Sequence, residues 1–161
     1  MRSNKIHECL QVSVLKRFYF ISLVFLAFTA TASPQYNVWY KHNGIMADAT
    51  QTQDGRPVLI SFAYQGTPGV NLVVSYTEHG DCNNSPPITK FQINNISVDA
   101  KEKCFPMKGN IRALHYIIEE YSVLQYFHTQ LETGFTVILQ NNIRVWVANY
   151  NHPRAGNLSL W

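Results

Sequence analysis

The first 32 residues carry the pattern of an export signal, and this pattern limits the folded chain to residues 33–161. A basic pair, Lys16-Arg17, precedes an apolar run from Phe18 to Phe28, and small residues before Ser33 form a cleavage site. The run to Ala32 is about 15 residues long, whereas a helix needs roughly 20 to cross a bilayer. We therefore expect a signal peptide cleaved near Ala32, a periplasmic or secreted protein, and no stable membrane anchor after cleavage. An uncleaved signal anchor is the alternative.

Export would place the cysteines in an oxidising environment, where disulfides form. Cys9 leaves with the predicted signal, so Cys82 and Cys104 are the cysteines of the mature chain. Two cysteines in an exported domain form a disulfide far more often than they act as reactive thiols. A bond between Cys82 and Cys104 closes a loop of about 23 residues and stabilises the fold by roughly 3 kcal/mol. We predict this bond and no thiol catalysis.

The charge distribution argues against nucleic acid as a partner. The full chain has 13 basic and 10 acidic residues, but four of the basic residues and one acid precede Ser33, which leaves nine of each. The remaining basic residues are scattered among acids, so no concentrated positive field attracts phosphates. The mature chain has the length of one domain with a real core.

Short apolar runs separated by turn residues predict antiparallel hairpins. Asn94-Asn95 and Asn141-Asn142 favour tight turns, because Asn tolerates the left-handed backbone conformation. A Gly- and Pro-containing segment, residues 65–69, favours a third turn. The predicted strand pairs are residues 58–64 with 70–76, residues 89–93 with 96–98, and residues 135–140 with 143–150.

A helical spacing of apolar residues runs through residues 111–131. The apolar positions at this spacing are Ile111, Leu114, Ile117, Ile118, Tyr121, Leu124 and Leu131. Asn110 suits an N-cap and Gly134 lies just past the end, so the pattern predicts a helix from about Asn110 to Glu132. The predicted fold class is α+β: an antiparallel sheet of about six strands packed on one long helix, with one disulfide, in a single domain of residues 33–161.

No motif gives a positive reason to assign an enzyme. The chain has no Gly-x-Ser-x-Gly, no phosphate loop and no dinucleotide fingerprint. The segment Glu78-His79-Gly80-Asp81-Cys82 contains metal-ligand residue types, but a disulfide withdraws the thiolate of Cys82. We assign no catalytic residue, metal ligand or cofactor.

These features favour a small exported protein that acts through protein–protein contact, with an inhibitor or immunity-like protein as one form. The loop from His79 to Pro87 is the predicted contact element, with Glu78, His79 and Asp81 as contact residues. Tyr116 and Tyr126 join them, because exposed tyrosines offer a large contact area with a polar group.

Two other functions stay open. One is an envelope hydrolase or small-ligand carrier, with a pocket between helix and sheet on which His115, Tyr116, Glu119 and Arg144 converge. The other is an accessory subunit of a secretion or surface assembly, for which an exposed aromatic edge strand at residues 143–150 is the expected signature.

Overall fold

The structure is a computed structural model that describes residues 35–64, 69–83 and 86–156, together with Leu158. The predicted signal, residues 1–32, lies outside the described residues. Within the described part of the chain, no helix is both long enough and apolar enough to cross a membrane.

The described residues form ten β-strands and one α-helix. In chain order the elements are β1 (Tyr40–His42), β2 (Ile45–Gln51), β3 (Pro57–Ala63), β4 (Asn71–His79), β5 (Ile88–Ile93), β6 (Ile96–Met107), β7 (Ile111–Ile118), α1 (Tyr121–Thr133), β8 (Thr136–Leu139), β9 (Ile143–Trp146) and β10 (Arg154–Ala155). The strands make one sheet in the order β10-β1-β2-β3-β4-β7-β6-β5-β8-β9. The sheet is mixed, because β1 and β10 pair in parallel while the other neighbours pair antiparallel.

The three predicted hairpins are confirmed, as β3–β4, β5–β6 and β8–β9. Residues with positive φ make their turns, with Asn94 at 51° and Asn141 at 61°. Non-glycine residues enter this region at low cost mainly when they are Asn or Asp. The predicted asparagine turns therefore form for the reason that the sequence suggests.

The predicted fold class is wrong, both in the number of strands and in the helix. Residues 111–118, expected in the helix from Asn110 to Glu132, form β7, and the helix begins only at Tyr121. Strand β7 pairs with β4 on one side and with β6 on the other, so its backbone hydrogen bonds are satisfied as well as in a helix. Leu114 and Ile118 lie four residues apart, a spacing that fits one face of a helix and equally one face of a strand.

The other strands that the sequence did not predict contain polar residues, which obscure the alternation of apolar and polar positions. Strands β1 and β2 turn at Asn43-Gly44, within a largely polar part of the sequence. The inner face of β2 carries Asp48 and Thr50, both buried, so its pattern does not look apolar.

The core fills the inner face of the sheet beneath the helix. Side chains that alternate along the strands, such as Ile60 and Val74, are fully buried against Phe127 and Leu131 of α1. Phe62 of β3 and Phe127 meet edge to face with their ring centres 5.3 Å apart. The sheet curls until Thr52, beyond the end of β2, forms a bridge with Ile143 of β9.

Candidate functional site

A disulfide joins the β4–β5 loop to strand β6. Cys82 and Cys104 are bonded, with their Cα atoms 5.5 Å apart, so the predicted pairing is confirmed. Cys104 lies three residues before the end of β6, opposite Leu114 of β7. The bond therefore ties the projecting part of that hairpin to the loop beside it.

The end of the β6–β7 hairpin presents apolar side chains to solvent. Phe105 is 51% exposed and Met107 is 53% exposed, and the residues from Phe105 to Asn110 are all exposed. Phe105 and Met107 lie on the outer face of the sheet, away from the core, and strand β5 pairs with β6 only as far as Lys101, opposite Ile88. Beyond that pair, β6 has β7 on one side and none of the described strands on the other. Large exposed apolar groups that lie close together mark contact surfaces.

The register of the strands places one side chain of β4 and three of the β6–β7 hairpin on the same outer surface of the sheet. Ile111 is opposite Met107 on one side and opposite His79 on the other, and Phe105 is two residues before Met107 on the same face. We call His79, Phe105, Met107 and Ile111 the hairpin-tip patch. The ring of Phe105 also meets the ring of His115 edge to face at 5.2 Å, which fixes its direction.

An ion pair supports the patch from the opposite face of the sheet. The Nε of Arg112 donates to Oε1 of Glu78 at 2.9 Å, and its Nη2 donates to the same oxygen. Its Nη1 donates to the backbone carbonyl of Asp81 at 2.7 Å, across Gly80. The hydrogen bond to Glu78 raises the pKa of Arg112, so this guanidinium remains charged. The pair fixes the β4–β5 loop against β7.

Two lysines near the tip make no ion pair. Lys103 is opposite His115 on the outer face, and Lys108 lies in the turn of the hairpin. Neither contacts an acid among the described residues, whereas Lys90 pairs with Asp99 and Lys101 pairs with Glu119. Asp81 in the adjoining loop and Glu102 of β6 also make no ion pair within the described ranges, so the unpaired charges around the patch are of both signs.

The sequence-predicted contact residues lie in three different places. His79 belongs to the patch, but Glu78 is engaged with Arg112, and Oδ1 of Asp81 accepts a hydrogen bond from the backbone amide of Asn83 at 3.0 Å. Tyr126 lies half-buried on α1, away from that loop. The structure does not bring these four side chains together.

Tyr116 is not the exposed helical tyrosine that the sequence predicted. It lies on β7, only 7% exposed, with its ring 5.8 Å from that of Tyr76 and 5.1 Å from that of Phe91. Burial raises its pKa strongly. The reason is the change from helix to strand, since alternation along β7 turns position 116 inward.

The four residues proposed for a pocket between helix and sheet do not converge. His115 points outward, where its Nδ1 is 2.8 Å from Oγ of Ser75, whereas Tyr116 points inward. Glu119 is exposed and pairs with Lys101, and the guanidinium of Arg144 lies 5.6 Å from the ring of Trp146 on β9. Apolar side chains fill the space between helix and sheet.

Sequence reasoning missed Phe105, Met107 and Ile111. The sequence feature that indicates their exposure is the segment Cys104-Phe105-Pro106-Met107. In it, large apolar residues lie between a cysteine and a Lys-Gly-Asn turn. Apolar residues that close to a polar turn have little core to enter.

No group of three or more His, Cys, Asp or Glu side chains within the described ranges is placed to hold a metal ion. No protein-family model, no curated protein and no solved structure matches this chain.

Proposed function

We propose that this chain is an exported binding protein that contacts another protein through the hairpin-tip patch. The observation that supports this most directly is the half-exposed pair Phe105 and Met107 on a hairpin anchored by a disulfide. The export signal predicted from the sequence supplies the setting in which that disulfide forms. The proposal keeps the protein-contact function expected from the sequence but moves its centre from the β4–β5 loop to the neighbouring hairpin.

The geometry favours contact by side chains rather than by strand addition. The outer edge of β6 beyond Lys101 carries Pro106, which has no backbone N–H to donate to an added strand. Apolar anchors on a rigid support bind well, because little conformational entropy is lost on association. An inhibitor that inserts such a tip into the cleft of an enzyme is the concrete form that we favour.

The two lysines near the patch limit the kind of protein surface that can bind it. Lys103 and Lys108 pair with no acid among the residues that the structure describes, so a complementary protein surface has an apolar pocket with carboxylates opposite these two lysines. Association with such a surface slows as the salt concentration rises, because salt screens the attraction.

The assembly-subunit alternative receives less support from strand β9. Its predicted open edge is partly covered, since Oγ1 of Thr50 donates to the carbonyl of Arg144 at 2.7 Å and the amide of Gln53 donates to the carbonyl of Asn142 at 3.1 Å. An edge with occupied carbonyls is a poor template for another strand.

The test is affinity capture with the oxidised protein as bait, in extracellular and envelope extracts of the source organism. We expect one discrete protein partner, and a Phe105→Ser, Met107→Ser double variant should lose about thirtyfold in affinity for it, the scale of a contact hot spot. Phe135→Ser is the matched control, because Phe135 is 89% exposed and lies outside the patch. This variant should bind as the parent does.

Equal affinity of the double variant and the parent would refute the patch as the contact site. Anionic phospholipid vesicles serve as a second probe, since a Phe- and Met-bearing tip with two lysines also suits a lipid surface. Binding to vesicles that requires Phe105, with no protein captured, would replace the proposal by membrane contact.

A further inference from the structure

A groove of about 470 Å³ lies between helix α1 and two hairpin turns, away from the hairpin-tip patch. This volume falls within the roughly 300 to 1,000 Å³ usual for small-molecule sites. Its walls come from the turn of β5–β6, from α1, from β8 and from the turn of β8–β9. The lining residues are Asn94, Asn95, Tyr126, Gln130, Thr136, Ile138 and Asn141.

A hydrogen-bond network centred on Asn94 fixes the orientation of this lining. The backbone amide of Ile138 donates to Oδ1 of Asn94 at 2.9 Å, so the Nδ2 of Asn94 must point the other way. That Nδ2 donates to Oη of Tyr126 at 3.2 Å and to Oε1 of Gln130 at 3.3 Å. Asn94 itself is held by its positive φ and by its amide, which donates to the carbonyl of Ile138 at 2.7 Å.

This network leaves specific donors for a ligand. Because Tyr126 and Gln130 accept from Asn94, the O–H of Tyr126 and the Nε2 of Gln130 have no acceptor among the described residues. The side chains of Asn95, Thr136 and Asn141 make no hydrogen bond within the described part of the chain either. The groove thus presents amide and hydroxyl groups on several sides, and its central residues are already oriented.

The lining selects against a charged ligand. None of the seven residues is an acid, a lysine, an arginine or a histidine. An ion in the groove would lose water without meeting an opposite charge, which is unfavourable, whereas a neutral ligand rich in hydroxyl groups can both donate to and accept from amides.

We propose that this groove binds a neutral saccharide. A peptide fits less well, because peptides commonly bind by pairing with a strand edge, and here the amide and carbonyl of Ile138 are both occupied by Asn94. Recognition therefore falls to side-chain amides and hydroxyls around the ligand. The site is separate from the hairpin-tip patch, so either proposal can fail without the other.

The test is a nuclear magnetic resonance titration of the oxidised, ¹⁵N-labelled protein. The probes are maltotetraose, cellotetraose and chitotetraose, with digalacturonate as the charged comparison and tetraalanine amide as the peptide comparison. We expect at least one neutral probe to shift the side-chain amide signals of Asn94, Asn95, Gln130 and Asn141 in a saturable way, and the two comparisons to leave them unchanged.

The variant Gln130→Glu sharpens the test, because it keeps an oxygen that accepts from Asn94 and removes the Nε2 donor. We expect it to weaken saccharide binding about tenfold, the scale of one lost hydrogen bond in a binding site. Gln125→Glu is the matched control, since Gln125 is exposed on the same helix and does not line the groove. It introduces the same charge and should leave the affinity unchanged.

Three results would overturn the proposal: no neutral probe binds, a probe binds but Gln130→Glu and Gln125→Glu affect its affinity equally, or digalacturonate or the peptide binds more tightly than every neutral probe. A normal amide spectrum of each variant shows that it is folded.

Discussion

The side chain of Asp48 is completely buried on the inner face of β2. Neither carboxylate oxygen has a hydrogen-bond partner among the described residues, and the nearby backbone amides of Val38 and Ala49 offset only part of the lost hydration. Desolvation raises the pKa of Asp48 from 3.8 to about 7. At neutral pH the burial of Asp48 therefore lowers the stability of the folded chain, unlike the burial of an apolar side chain.

The pH dependence of stability follows from that shift. Below about pH 4 Asp48 is protonated in both the folded and the unfolded chain, so its ionisation does not change the free energy of unfolding. Between about pH 4 and 7 the unfolded chain loses this proton while the folded chain keeps it, and stability falls as the pH rises. A shift of about three pKa units corresponds to roughly 4 kcal/mol.

We expect Asp48→Asn to remove this dependence. In urea unfolding, the stability of the variant relative to the parent should rise by up to about 4 kcal/mol between pH 4 and pH 8, because asparagine does not ionise. Comparing the two proteins cancels the titration of the other carboxyl groups. Parallel stability curves for parent and variant would mean that Asp48 titrates normally in the fold.

At the scale of elements, the sequence predicts the hairpins better than the helix, because a turn is decided locally. Asn94 adopts positive φ between two short alternating runs, and the signal for the turn lies within a few residues. Strand β7 pairs with β6, the preceding strand, over seven residues, but it also depends on the more distant β4, which pairs with it over eight residues. Its local spacing fits both structures, so tertiary pairing decides.

The candidate site also has one part that follows from the local sequence and one part that depends on strand pairing. The disulfide can be predicted, because only two cysteines follow the predicted signal. The outward direction of Phe105 and Met107 depends instead on the register of β6 against β7, which sets the face of the sheet on which alternate residues lie.

The disulfide is expected to support both the fold and the hairpin tip. Replacing both cysteines, Cys82→Ser with Cys104→Ser, should lower the free energy of unfolding by roughly 3 kcal/mol in the chain-entropy model. The amides of residues 105–110 should also exchange with deuterium faster than in the parent, while those of β3 and β4 change less. Unchanged exchange at the tip would show that the Arg112–Glu78 pair and the strand pairing suffice to anchor it.

At the scale of the whole molecule, the curl of the sheet decides where surfaces and cavities lie. The curl brings the segment after β2 against β9 and fills the inside with apolar side chains, which leaves no room for the pocket expected between helix and sheet. The polar groove forms instead at the border of α1, where the β5–β6 turn meets the helix and the β8–β9 hairpin that follows it. No spacing within one segment predicts such a meeting, so this site could be found only from the structure.

The central claim, that the hairpin tip is a protein contact surface, is tested most directly by site-specific photo-crosslinking in the source organism. A benzophenone amino acid is introduced at position 107 in one strain and at position 135 in another, because Met107 and Phe135 are both exposed but only Met107 belongs to the patch. We predict a discrete adduct with one partner protein from position 107 and none from position 135. The same adducts from both positions, or no protein adduct from position 107, would contradict the account.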